Sequence, residues 1–153
     1  MPLKRHIALQ DYSREHHLGL LLGWKISQGI AKKVPSERMV NYCQIFYESC
    51  LLPHMKNEEH LILNKFPSED QDVKKIIEDH KSLQKQFEGL GNLSQGVEEA
   101  LVQLTDDLEK HIRFEERIFF TKIQDECTEE ELYAMKPEVV SEQMPQPEDE
   151  FWK

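Results

Sequence analysis

Two segments of this chain put a histidine and a glutamate where an amphipathic helix needs leucines, and they do so in the same way. His54-x3-Glu58-Glu59-x2-Ile62-Leu63 is matched by His111-x3-Glu115-Glu116-x2-Phe119-Phe120. The residues around them recur at three and four. One seam reads Tyr47, Leu51, His54, Glu58, Leu61, and the other Leu101, Leu104, Leu108, His111, Glu115, Ile118. That spacing is helical, and the seam is the face a helix buries. Residues at i and i+4 share that face, about 6 Å apart along the axis, so each His–Glu pair can serve one small cluster. Two more seams carry a lone histidine: Val73, Ile76/Ile77, His80, Leu83, Phe87, and His17, Leu20/Leu21, Trp24. The match of His17-x2-Leu20-x3-Trp24 to His80-x2-Leu83-x3-Phe87 makes the two halves of the chain a repeat. Each half supplies one helix with a lone histidine and one with His-x3-Glu. Two such hairpins converge four histidines and two glutamates on one level.

Burying six polar groups without an ion to satisfy them is costly. A single His-x3-Glu in an acidic helical chain reads as a surface pair, and a single inward histidine as a satisfied core residue. Four together, two with a matched glutamate, point to a metal centre. Imidazole and carboxylate together suit iron. The first helix leaves a choice. His17 has apolar residues three, four and seven positions on, whereas His16 has Gly19 and Gly23 at three and seven, so the apolar count favours His17. His6 precedes the seams and reads as exposed. Glu59, His60 and Glu116 fall off them and read as solvated or as hydrogen-bonding neighbours.

Punctuation separates the helices. The first is expected from Ser13 as N-cap to Lys33, before Val34-Pro35-Ser36. The second is expected from Glu37 to Lys65, with Pro53 kinking or dividing it. Ser68-Glu69-Asp70-Gln71 reads as a capping box opening a third helix to Glu88. After Gly89-Leu90-Gly91-Asn92 a fourth runs from Leu93 or Ser94 to Asp125. Thr128 and Glu131 form a second capping box for a short fifth helix. The tail from Pro137 is acidic and expected to be extended, ending in Phe151-Trp152 that either dock on the bundle or hang free. The short connections favour antiparallel neighbours. The expected fold is all-α: an antiparallel up-down four-helix bundle over 13–126, with an N-terminal segment 1–12 and a short helix plus acidic tail over 127–153.

The charge balance narrows the partners. A net charge of −10 with no basic cluster disfavours nucleic acid and anionic membranes. No apolar run approaches the roughly 20 residues that span a bilayer, and the first fifteen residues are too polar for a secretory signal. Cys43, Cys50 and Cys127 are odd in number and form no CxxC, which predicts reduced thiols and a cytoplasmic protein. Cys43 and Cys50, seven apart on one helical face, read as packing residues.

Arg14-Glu15-His16-His17, Leu52-Pro53-His54-Met55-Lys56-Asn57-Glu58-Glu59, Asp79-His80-Lys81-Ser82-Leu83 and His111-Ile112-Arg113-Phe114-Glu115-Glu116 resemble the hemerythrin-like, or HHE cation-binding, domain family. The likeness covers Ser13 to Asp125. It implies a non-haem di-iron centre of two oxo- or hydroxo-bridged iron ions. Its ligands would be His17 (or His16), His54, Glu58, His80, His111 and Glu115, with Glu58 and Glu115 bridging. The chain departs from the oxygen-carrying hemerythrins. Ile76 and Gln84, not histidine, flank His80 at four residues, and the last helix has His-x3-Glu where those carriers have His-x4-Asp. The resemblance therefore implies binding or sensing of oxygen, nitric oxide, peroxide or a related small ligand. The alternative is a di-iron enzyme, either a peroxide-consuming oxidase or an iron donor for damaged centres. The other common di-iron bundle class needs Glu-x-x-His on two helices, and no histidine here has a glutamate three residues before it.

Overall fold

In the computed structural model, which describes residues 4–137 and 149–153, four long helices form an antiparallel up-down bundle. Helix α1 spans Ile7–Ala31. Helix α2 is a continuous helical run over 36–65. It consists of α-helical Ser36–Phe46, a π turn Tyr47–Leu51, α-helical Leu52–Asn57, a second π turn Glu58–Ile62, and a final 3-10 turn Leu63–Lys65. Helix α3 is Gln71–Gly89. Helix α4 runs over 97–126, as α-helical Val97–Phe114, a π turn Glu115–Phe119 and α-helical Phe120–Glu126. The short α5, Glu129–Tyr133, follows.

The helix ends follow local chemistry, and several differ from expectation. Helix α1 starts six residues before Ser13, because the His6 ring accepts the Ala8 backbone N–H at 3.1 Å and caps it. Asp70, not Ser68, caps α3, accepting from the N–H groups of Asp72 and Val73 at 2.9 and 3.1 Å. The turn before α4 is closed by Gly96 at φ 70°, a left-handed conformation that glycine adopts without steric cost. That moves the α4 start beyond Ser94. The Thr128–Glu131 capping box forms as read. Pro53 does not end α2. It lacks the N–H that an α-helix would direct four residues back, and the π turn just before it is a known way for a helical run to absorb such a defect.

The core has two apolar parts. One holds Leu22, Ile26, Phe46, Phe87, Leu104 and Ile112 among others, and the second holds Leu9, Tyr12, Ile62, Ile76, Phe119 and Phe120. Between them lies a layer of buried polar side chains: Glu15, His16, His54, Glu58, His80, His111 and Glu115. The α3 seam is buried as read. Those of α2 and α4 slip by one residue after their glutamates: Ile62 and Phe119 are buried, while Leu61 is half-buried and Ile118 is 52% exposed. Both slips coincide with π turns, which add a residue per turn and so keep the i+4 position on the seam.

The α1 seam differs throughout. It runs Leu9, Tyr12, His16, Gly19, Leu22, Ile26, Gly29, and Trp24 is 52% exposed. A Cβ at Gly19 would lie 2.8 Å from Ile112 Cδ1, so the bare glycine lets α1 close on α4. The C-terminal aromatics dock. Phe151 is buried over Gly29 and meets Tyr42 edge-on at 5.4 Å. Lys25 lies 4.0 Å from the Trp152 ring centre and donates to the Tyr42 hydroxyl at 2.7 Å. Arg38 pairs with Asp149 beside them. The expected extended course of the acidic tail falls mostly on 138–148, outside the described residues.

Candidate metal centre

The buried polar layer divides into two overlapping groups. His16, His54, Glu58 and Glu115 each offer an atom within 4.8 Å of the others, and so do Glu58, His80, His111 and Glu115. The two glutamates belong to both. Glu58 turns Oε1 toward His16, at 3.4 Å from its Nε2, and also touches His54 with it, while Oε2 faces His80 Nε2 at 3.5 Å. Glu115 turns Oε2 toward His16 Nε2 at 3.6 Å and Oε1 toward His80 Nε2 at 3.7 Å, touching His111 with the same oxygen. Each carboxylate thus spans both groups. The Nε2 atoms of His16 and His54 lie 3.1 Å apart. Two nitrogens bound to one ion at roughly 2.1 Å and at right angles would be about 3 Å apart.

Each of the four histidines in the layer is held from behind. His16 Nδ1 meets Glu116 at 2.9 Å, His54 Nδ1 meets Glu15 at 3.1 Å, His80 Nδ1 meets Glu59 at 3.3 Å, and His111 Nδ1 meets Asp79 at 3.0 Å. The supports form a ring around the bundle. α1 holds the histidine of α2, α2 that of α3, α3 that of α4, and α4 that of α1. A carboxylate on Nδ1 fixes the tautomer that leaves Nε2 free as a ligand and raises its basicity. Glu116 is itself fixed by Ser13, whose hydroxyl lies 2.8 Å from both carboxylate oxygens.

The electrostatics fit a cation. Glu58 Oε1, both Glu115 oxygens, and Nε2 of His80 and of His111 are buried without a hydrogen-bond partner. Five such atoms converging on one spot would be hard to bury without an ion. Burial pulls the imidazoles toward lower pKa, but the carboxylates around them win. His54 rises to about 10 through Glu58 and Glu15, and His111 to about 9 through Glu115 and Asp79. His80 rises to about 12 through Glu115, Glu58 and Glu59. Burial pushes Glu58 upward, yet the histidines hold it well below the usual carboxylate range. The donor set of four imidazoles and two shared carboxylates is one that imidazole- and oxygen-binding transition metals accept.

Of the residues singled out in the sequence, His54, Glu58, His80, His111 and Glu115 come together. His17 does not. It is exposed on the outer face of α1, and His16 stands in the layer. The apolar count misjudged the register because α1 buries Gly19 and exposes Trp24. Glu59 and Glu116 are hydrogen-bonding neighbours as expected, and His60 is exposed. His6 is half-buried as the α1 cap, pairing with Glu129 at 2.9 Å. Glu15 and Asp79 had not been singled out. Their signal is the acid directly before a histidine in Glu15-His16 and Asp79-His80, which also aligns His16, not His17, with His80. Cys43 and Cys50 are buried in the core, where burial pushes both thiols up to about 12.

The fold and this layer define a helical-bundle cation-binding domain. The model of the hemerythrin HHE cation binding domain matches residues 8–123. The chain therefore belongs to that family, and the match ends before α5 and the docked tail. No curated protein and no solved structure matches it.

Proposed function

We propose that this protein holds two iron ions between its helices and uses them to bind or sense dioxygen, nitric oxide or a related small ligand. The observation that carries this reading is the sharing of Glu58 and Glu115 by two histidine pairs, with five orphaned polar atoms facing one another. His16 and His54 would hold one ion and His80 and His111 the other. The two glutamates would bridge them together with an oxide or hydroxide. Such a pair supplies open coordination positions and readily exchanged electrons. Four histidines, two bridging carboxylates and the bridging oxide or hydroxide would fill about ten of the roughly twelve positions of two octahedral ions, so about two are left for an exogenous ligand.

The chain's own residues set the conditions. Glu15, Glu59, Asp79 and Glu116 keep the four rings oriented through Nδ1. Phe120, stacked on His16 at 5.5 Å, and Tyr12, edge-on to His54 at 5.8 Å, keep bulk water from that end. The Tyr12 hydroxyl is committed to the Met135 carbonyl at 2.7 Å, so it contributes packing there and leaves no free donor. The free cysteines support a cytoplasmic setting, and among the described residues no helix is long and apolar enough to cross a membrane.

The test is anaerobic loading with ferrous iron, metal analysis, and optical spectra before and after air and azide. Two irons per chain and an azide-dependent spectrum are expected, both lost in His54→Ala and His111→Ala. A protein that retains no iron overturns the reading. Sustained peroxide turnover would identify an enzyme instead of a binding module.

A further inference from the structure

Resting on that reading, we propose that the two metal positions are inequivalent. The position between His80 and His111 exchanges with solvent, through the cleft between α2 and α3, and the position between His16 and His54 is closed. The two ends of the layer differ in how they are covered. At the His16 and His54 end, Phe120 and Tyr12 lie against the rings, and the supporting Glu15 side chain is only 3% exposed. Glu116 is tied down by Ser13 and by Arg5, which also donates to the Glu116 carbonyl at 2.8 Å. At the other end, a cleft of about 350 Å³ has His80 in its wall, with Glu59, His60 and Gln84 around it. The Glu59 side chain is 44% exposed while still touching His80. A second, smaller cleft of about 270 Å³ reaches His111 and Asp79. A third groove, about 510 Å³ over Trp24 and Val102, touches none of the six inner side chains.

The α2–α3 cleft is the better cation passage of the two. It presents Glu59 and the exposed His60 as oxygen and nitrogen donors at its mouth. A hydrated cation can trade water for these groups one at a time before meeting His80, which lowers the cost of stripping its shell in one step. The smaller cleft is flanked by two lysines, Lys75 and Lys110, against the single Lys56 in the wall of the α2–α3 cleft. Asp79 in its wall is engaged on both sides, by Lys75 at 2.9 Å and by His111 at 3.0 Å.

The experiment uses the full chain loaded anaerobically with ferrous iron and mixed with an excess of a chromogenic ferrous chelator. Two phases of equal amplitude are expected, one iron leaving quickly and one slowly. Anomalous diffraction from crystals of the half-depleted protein should place the remaining iron between His16 and His54. Gln84→Trp, which fills the α2–α3 cleft from an exposed position, should slow both uptake and release of the fast iron severalfold. Ser82→Trp, which fills the smaller cleft, should leave both rates unchanged. Glu59→Gln separates passage from support. If Glu59 only steadied His80, release would accelerate with uptake unchanged, whereas a role in passage slows uptake. A single release phase, residual iron between His80 and His111, or slowing by Ser82→Trp and not by Gln84→Trp overturns the proposal. Failure to bind two irons at all would overturn the di-iron reading beneath it.

Discussion

At the residue scale, the centre depends on which atom of each histidine faces inward, and a neighbouring acid decides that. The dipeptides Glu15-His16 and Asp79-His80 place the acid that supports a neighbouring helix's histidine directly beside an inward histidine of their own helix. Removing the inner histidine should therefore differ sharply from removing its exposed neighbour. His16→Ala is expected to lose iron, whereas His17→Ala keeps the full complement, as metal analysis of both variants will show. Proton competition supplies a second prediction. In the metal-free protein, His54 and His111 have folded pKa values of about 10 and 9, above the unfolded value of about 6.5. Their ion pairs stabilise the metal-free fold fully below that unfolded value, and this contribution fades as pH rises through about 9–10. A metal ion must displace the same protons, so its affinity grows over that range. The rise in melting temperature caused by zinc should thus be larger at about pH 8.5 than at about pH 6. An equal or smaller rise at the higher pH would show that the imidazoles are not the ligands.

At the element scale, two devices set the register. The π turns Glu58–Ile62 and Glu115–Phe119 begin at the two shared glutamates. They occupy equivalent places in the two halves, so the repeat extends from sequence to backbone. Each lets a glutamate sit one turn below its histidine and still returns the next apolar residue to the core. The second device is the close approach of α1 and α4 at Gly19. A branched side chain there would press on Ile112 and Leu108, and overpacking of this kind costs about 1–3 kcal/mol. Gly19→Leu is expected to lower stability by that order in denaturant melts. It should also weaken iron binding, since His16 lies one turn away on the same face. The α1 seam was misread for the same reason. Counting apolar side chains scores glycine as an absence, whereas at a helix crossing the missing side chain is itself the packing feature. The seams of α2, α3 and α4 were legible as far as their inward histidines and glutamates because leucine, isoleucine and phenylalanine mark them directly.

At the scale of the whole molecule, the polar layer divides one core into two, and the tail closes the end away from α5. Phe151 fills the notch over Gly29, and Trp152 covers Lys25. Burial pulls the Lys25 amine below its usual range, and the aromatic faces offer the cation a partner in return. Truncating a buried phenylalanine costs about 3–5 kcal/mol. Phe151→Ala should therefore lower the melting temperature while leaving iron stoichiometry unchanged, because the described tail residues, 149–153, pack against the apolar core part away from the six inner side chains. Loss of iron in that variant would show that the two core parts are mechanically coupled through the layer.

The sequence by itself determined the four-helix architecture, its twofold repeat and five of the six inner side chains. These are written in local periodicity, and a histidine among leucines three and four apart has only one face to occupy. Tertiary structure decided the rest. It selected His16, which the acid–histidine dipeptides match to His80 but the apolar seam does not, because the rotation of α1 is set by contact of Gly19 with Ile112 of α4, some ninety positions away along the chain. It also joined each histidine to a carboxylate on the neighbouring helix and seated the terminal aromatics over Gly29. Each of these is a contact between elements, and helical periodicity carries no information about which neighbour a helix will meet.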